Sequence, residues 1–165
     1  MTTHADRLAA LRTQLKAQGL DGFIIPLTDE HMSEYVGAYA RRLEWLTGFQ
    51  GSAGSAAVLA QKAAIFVDGR YTIQVRAQVD GALYEYRSVP SEPLTAWLAD
   101  NAAAGAKIGY DPWLTTRAFA QATAVALAAK GATLVAVTAN PVDAIWAGKP
   151  QPSDAPAEIL GDEFT

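Results

Sequence analysis

The 165-residue sequence contains no cysteine and only two histidines, His4 and His31. Without Cys there is no disulfide framework, no thiol nucleophile and no zinc or iron–sulfur site built on thiolates. Two imidazoles argue against a metal centre that uses several of them and leave little for a histidine-based triad. Charge is scarce too: 18% of residues are charged and the net charge is −4. That sign argues against nucleic acid as a partner, because phosphate recognition needs a clustered positive surface. No window approaches the ~18 apolar residues that span a bilayer. The first twenty residues carry charge throughout and lack the apolar core of a secretory signal, so no membrane attachment and a cytoplasmic location are expected. What is abundant is apolar: half the residues are hydrophobic, enough for one domain with a real core.

The periodicities predict an α/β fold with a mixed central sheet flanked by helices. Leu8, Leu11 and Leu15 recur at helical spacing, with Thr3 and Asp6 as a capping box and Gly19 as the stop. Gly22 to Pro26 reads as a buried strand. A helix is expected from Asp29 or Met32, continued or restarted over Arg41 to Thr47 and ended by Gly48. Ala56–Ala60 and Ala63–Val67 read as a hairpin, which makes the sheet mixed. A helix over Arg70–Val79 comes next, then a strand over Leu83–Val89 and a helix opened by Ser91 and Pro93. Lys107–Tyr110, the helix Arg117–Lys130 capped by Thr115 or Thr116, the strand Thr133–Val137 and a short helix Val142–Trp146 complete the pattern. After Gly148 the prolines of 149–156 read as a linker. We therefore expect a domain over residues 1–148, and over 149–165 a linker and the start of a following domain, near Leu160-Gly161.

No complete catalytic constellation is legible. Gly48, Gly51 and Gly54 do not form a dinucleotide or P-loop motif, and they precede a strand, so a tight turn with close backbone approach is favoured over phosphate binding. Positive φ at Gly54 is one such possibility. The Ser52 and Ser55 hydroxyls are expected to bond the turn backbone. Asp29, Glu30, His31 and Glu34 make the densest polar cluster. Acids at a helix N-terminus explain them better than a metal site, which needs three ligands in fixed geometry. Arg41 and Arg42 could clamp a carboxylate, or pair with Glu44 or Asp68. Asp68 is expected to cap the helix after it, with Arg70 beside it and Tyr71 packed on the sheet. The four tryptophans are dispersed and read as core or interdomain anchors.

Six strings in fixed order carry a resemblance: Asp29–Tyr35, Arg41-Arg42, Leu46–Gly54, Val67–Tyr71, Ile108–Pro112 and Asn140-Pro141-Val142-Asp143-x-x-Trp146. Together they resemble the N-terminal domain of the three-domain Xaa-Pro aminopeptidases (aminopeptidase P) of the creatinase/prolidase group. Creatinase and prolidase themselves are less similar at Asp29–Tyr35. The resemblance implies a parent hydrolase that removes the residue preceding proline. In that family two Asp, two Glu and one His of a C-terminal pita-bread domain hold two metal ions, usually manganese. None of those motifs is matched here, so the resemblance implies no catalytic residue, metal ligand or cofactor in this chain. It implies instead a domain that shapes the mouth of the active-site cleft and supports a homodimer, with the missing catalytic domain and peptide substrates as partners. The residues expected on that surface are Asp29, His31, Glu34, Tyr35, Arg41, Arg42, Asp68, Arg70 and Tyr71, with Gly48, Gly51 and Gly54 as its structural loop. Two alternatives stay open: a stand-alone peptide- or protein-binding module, and the corresponding domain of a prolidase- or creatinase-like hydrolase.

Overall fold

The structure, a computed structural model, describes residues 2–156. The expected start of a second domain near Leu160-Gly161 lies outside them. Helix α1 (His4–Ala17) begins at the predicted capping box: Thr3 Oγ1 accepts from the Asp6 amide and the Asp6 carboxylate accepts from Thr3 N–H. It ends where Gly19 takes φ +68° and Leu20 N–H donates to the Leu15 carbonyl. Among the described residues six strands follow: β1 (Gly22–Pro26), β2 (Ser55–Leu59), β3 (Ala63–Val67), β4 (Glu85–Ser88), β5 (Lys107–Tyr110) and β6 (Thr133–Ala136). Between them lie α2 (Arg42–Thr47), α3 (Thr72–Gln78), α4 (Leu94–Asn101), α5 (Arg117–Ala128) and, after β6, α6 (Pro141–Ile145).

The strands form one mixed sheet in the order β4-β3-β2-β1-β5-β6. Only β2 runs against its neighbours; all other pairings are parallel. Alternate side chains feed two cores. Phe23, Ile25, Val58, Ile65 and Val67 pack with Leu8, Leu11 and Leu15 of α1 on one face. Ile24, Ala57, Ala64 and Phe66 pack with Trp97 and Leu98 of α4 and Leu127 of α5 on the other. Burial on both faces explains why β1, β2 and β3 read as unbroken apolar runs. Truncating fully buried Leu11 to Ala in this packing costs about 2–5 kcal/mol.

Three local expectations are corrected. No helix forms over residues 29–35. Helix α4 starts at Leu94 with Pro93 as its N-cap and no side-chain cap, so Ser91 does not open it. The fourth strand is confined to Glu85–Ser88, because Leu83 and Tyr84 turn back toward Asp80 through their amides. The tryptophans divide: Trp97 packs edge-on against Phe66, Trp45 stacks on Trp146, and Trp113 is exposed.

Because only β2 is reversed, the carboxyl ends of β1, β3, β4 and β5 and the amino end of β2 lie along one edge of the sheet. The loops holding most sequence-predicted site residues emerge there, the usual place for ligand contacts in α/β sheets.

Candidate functional site

The loop after β1 is shaped by Asp29. Its buried carboxylate accepts from the His31 amide at 3.0 Å and the Ser33 amide at 2.9 Å through the same Oδ1. An Asp side chain that satisfies the following amides competes with helix formation. Met32, a non-glycine residue at φ +58°, breaks any helical path outright. Asp29 and Glu30 are therefore not helix-terminal acids. Burial pushes the Asp29 carboxyl up, but the hydrogen bonds from Ser33 and His31 outweigh it, and the pKa lies below its ordinary value. His31 projects into solvent 3.7 Å from Glu30, whose carboxylate also accepts from Tyr39 Oη.

Further along the same loop, Glu34 and Tyr35 meet the glycine loop 48–54 across a cleft of about 400 Å³, with Arg41 and Glu44 of the α2 turn on a third side. Ser52 Oγ lies 3.1 Å from Glu34 Oε1 and 2.7 Å from Tyr71 Oη. It thus joins the loops after β1 and β3. Its contact with Ser52 also lowers the Tyr71 phenol pKa. The Tyr71 ring meets Phe49 edge-on at 5.6 Å, while the Arg70 guanidinium lies 5.2 Å from its centroid. Asp68 caps the turn by accepting from the Arg70 amide and grips the Arg70 side chain as well. Those bonds hold the Asp68 carboxyl low and raise the Arg70 pKa. Arg41 pairs with Glu44 at 3.5 Å, and Gln50 donates to the same carboxylate.

The glycine loop is tight, but for two different reasons. Gly48 ends α2 at φ +88°, a conformation that favours glycine. Gly51 and Gly54 do not have positive φ. They are small because Phe49 folds over them: a Cβ would come within 2.3 Å of the ring at Gly51 and 2.9 Å at Gly54. The expected positive φ at Gly54 is thereby replaced by a packing constraint. The Ser52 hydroxyl reaches across to Glu34 and Tyr71 rather than into its own turn.

The sequence-predicted set is partly gathered. Glu34, Tyr35, Arg41 and Gly51 line the cleft; Tyr71 joins through Ser52, with Asp68 and Arg70 behind it. Asp29 underpins the loop, and His31 points outward. Arg42 is turned away: buried, it binds Asp143 of α6 through two 2.8 Å bonds, not Glu44 or Asp68. Phe49, Gln50 and Ser52 of the glycine loop, Glu44, and the apolar Leu27, Val36 and Leu43 complete the cleft; no local spacing announces the last three, which reach it only through the way the loops pack. The cleft holds hydroxyls, carboxylates, a guanidinium and an exposed tyrosine, so it can bind polar groups. No histidine activates Ser52. Among the described residues no group of three or more His, Cys, Asp or Glu is placed to hold a metal ion.

Residues 7–145 match the Creatinase/Prolidase N-terminal domain family. Over 159 residues the chain is 38% identical to Xaa-Pro aminopeptidase 2 of Homo sapiens, covering 96% of this chain and 24% of that protein. A probable Xaa-Pro aminopeptidase P of Pyricularia oryzae is 39% identical over 152 residues, covering 90% and 24%. The chain thus spans about a quarter of the length of these relatives. Among solved structures, an X-prolyl aminopeptidase from Caenorhabditis elegans, described as a cytosolic enzyme with a di-nuclear active site, superposes with a TM-score of 0.83 at 30% identity, over 91% of this chain and 26% of that one. The N-terminal domain of the cytoplasmic peptidase PepQ from Mycobacterium tuberculosis H37Rv gives 0.64 at 30% identity, over 84% of this chain and 96% of the domain. The match over residues 7–145, together with these identities, shows that this chain belongs to the creatinase/prolidase N-terminal domain family.

Proposed function

We propose that this chain is the non-catalytic N-terminal domain of a metal-dependent Xaa-Pro aminopeptidase, an enzyme that removes the residue preceding proline. The observation that carries this reading is one of coverage: 96% of the chain aligns with an Xaa-Pro aminopeptidase, yet it accounts for only 24% of that protein. Residues 1–148 form the domain, and the prolines after Gly148 begin the connection to the catalytic part of the parent. Two divalent ions, manganese by family resemblance, belong to that catalytic part. The described residues do not fit such a centre, since they gather no metal-holding group. No step of the reaction is therefore assigned to them.

In this reading the cleft edge of Glu34, Tyr35, Arg41, Ser52 and Tyr71 contributes to the mouth through which peptides reach the catalytic domain. Fixed hydrogen-bonding side chains can align a peptide without taking part in bond cleavage, which is a positioning role. The parent is a homodimer in the cytoplasm; the cytosolic C. elegans relative supports that location. Deleting residues 1–148 from the encoded full-length protein tests the reading. The intact protein is expected to hydrolyse an X-Pro peptide with manganese, and the truncated one to lose at least tenfold in kcat/KM. Equal kcat/KM in a folded truncated protein would remove the domain from function.

A further inference from the structure

The turn of α2 presents two neighbouring rows of side chains, each pair three residues apart and so on one side of the helix. Arg41 and Glu44 form one row; they pair at 3.5 Å and line the cleft. Arg42 and Trp45 form the other, and both hold the chain around α6. Arg42 binds Asp143 through two 2.8 Å bonds. Trp45 stacks on Trp146, with ring centroids 5.3 Å apart and planes 20° from parallel. Helix α1 braces the stack: the Arg7 guanidinium donates to the Trp45 carbonyl and lies 4.8 Å from the Trp45 ring centroid.

The chain that leaves α6 is tied to the same cluster. Lys149 N–H donates to the Trp146 carbonyl at 3.2 Å, and Lys149 Nζ lies 3.2 Å from the Asp143 carboxylate. Gly148, at φ +73°, makes the turn between the two anchors. Pro150, Pro152 and Pro156 follow. Each proline restricts the residue before it to extended backbone, so Lys149, Gln151 and Ala155 are biased against folding back. Residues 151–156 are exposed. A proline-rich segment of this kind is a semi-rigid spacer rising about 3.1 Å per residue, so it carries forward the direction its root is given.

We propose that Trp146 and Lys149 are positioning residues, which with Trp45 and Asp143 fix the direction in which the chain leaves α6. Two anchors are needed, because a single one would leave the chain free to swing about it. The Trp146 ring supplies the first and the Lys149 ammonium the second. The inference rests on the reading of this chain as the N-terminal domain of an Xaa-Pro aminopeptidase, and deepens it. The cleft can align a peptide only while it stands at a constant distance and angle from the catalytic part. Helix α2 supplies that constancy, since one of its rows lines the cleft and the next holds the root of the linker. The geometry matters because a misplacement of about 1 Å can cost on the order of a hundredfold in rate.

Two measurements test it. In the 165-residue chain, nitrogen-15 relaxation is expected to give Gly148 and Lys149 amide order parameters near those of packed backbone, about 0.85, and Lys149→Met or Trp146→Ala to lower them below about 0.6. In the full-length protein, either variant is expected to lose about fivefold or more in kcat/KM for a long X-Pro peptide, mostly through KM, while a tripeptide X-Pro-X, which in this reading does not reach the cleft, keeps both constants. A merely structural loss would lower the two substrates alike. Lys149→Arg and Trp146→Phe, which keep the ion pair and a stacked ring, are expected to behave like the unaltered protein. Should Trp146→Ala fail to fold, Lys149→Met still decides. Low order parameters in the unaltered chain, unchanged long-peptide kinetics in the folded variants, or equal losses for the two substrates would overturn the proposal and leave the reading intact. A full-length protein that hydrolyses no X-Pro peptide would overturn the reading, and the proposal with it.

Discussion

The hydroxyl of Ser52 lies 2.7 Å from the phenol of Tyr71, and the same oxygen lies 3.1 Å from Glu34. One serine thereby joins the loops that come after β1 and β3 to the glycine loop that precedes β2. The relation gives the cleft a fixed wall, and it makes the wall's contribution measurable. In the full-length protein, Tyr71→Phe and Ser52→Ala are expected to raise KM for an X-Pro peptide about threefold to tenfold, with kcat nearly unchanged, because they loosen substrate alignment rather than bond cleavage. Steady-state kinetics at constant metal concentration checks this. A fall in kcat with KM constant would place Tyr71 or Ser52 closer to the chemistry than a positioning role allows.

Arg42 and Asp143 join α2 to α6 across 101 residues of sequence. Arg42 is 8% exposed, so removing its partner leaves a buried, uncompensated guanidinium. Asp143→Ala is expected to destabilise the domain by about 2–4 kcal/mol, whereas Arg42→Met, which removes the buried charge, is expected to cost less. Urea denaturation of both variants distinguishes the two outcomes. Equal losses would mean that contacts other than the ion pair dominate.

Gly54→Val is expected to destabilise by about 1–3 kcal/mol through overpacking against Phe49. Pairing it with Phe49→Leu is expected to recover part of that loss, as contacting residues couple in a double-mutant cycle. Gly48→Ala also destabilises, through its left-handed backbone and a Cβ that would lie 2.7 Å from His4 and 2.8 Å from the Gln78 carbonyl, but Phe49 is not among those contacts, so it is expected to gain much less from Phe49→Leu. Thermal melts of the set show whether the Gly54 loss comes from the Phe49 ring.

The Asp29 pKa lies below its ordinary value in the folded loop. A depressed folded pKa contributes stability that is present above the unfolded value, about 3.9, and is lost as pH falls through the folded one. The Ser33 amide resonance, which reports on the Asp29 carboxylate, is therefore expected to stay constant down to about pH 4 and to move below it. Asp29→Asn is expected to abolish that acid transition. Movement centred above pH 4 would show that the amides do not hold the ionised form.

What the sequence makes legible here is local chemistry. The Thr3–Asp6 box, the Gly19 and Gly48 stops, and the unbroken apolar strands are each read from residues a few positions apart, and each forms as expected. The loop at 29–35 misleads because its acids look helical in composition, while the Asp29 carboxylate is taken up by the amides of residues 31 and 33. The cleft is legible only in part. Glu34, Arg41 and Tyr71 stand out as residue types and Tyr35 through the family resemblance, but the bonds from Ser52 to Glu34 and Tyr71, and from Arg42 to Asp143, depend on how the sheet brings distant loops together. Gly51 and Gly54 are recognisable as tight positions, yet the packing that demands them comes from the Phe49 ring, joined at Gly51 by Tyr71, and only the fold decides where those rings point.

Whether this domain is non-catalytic is decided most directly by hydrolysis of an X-Pro peptide by the purified 165-residue chain with added manganese, measured beside the full-length protein encoded by the same gene. The expected result is no turnover by the chain above the metal alone and clear turnover by the full-length protein. Turnover by the isolated chain would contradict a non-catalytic role.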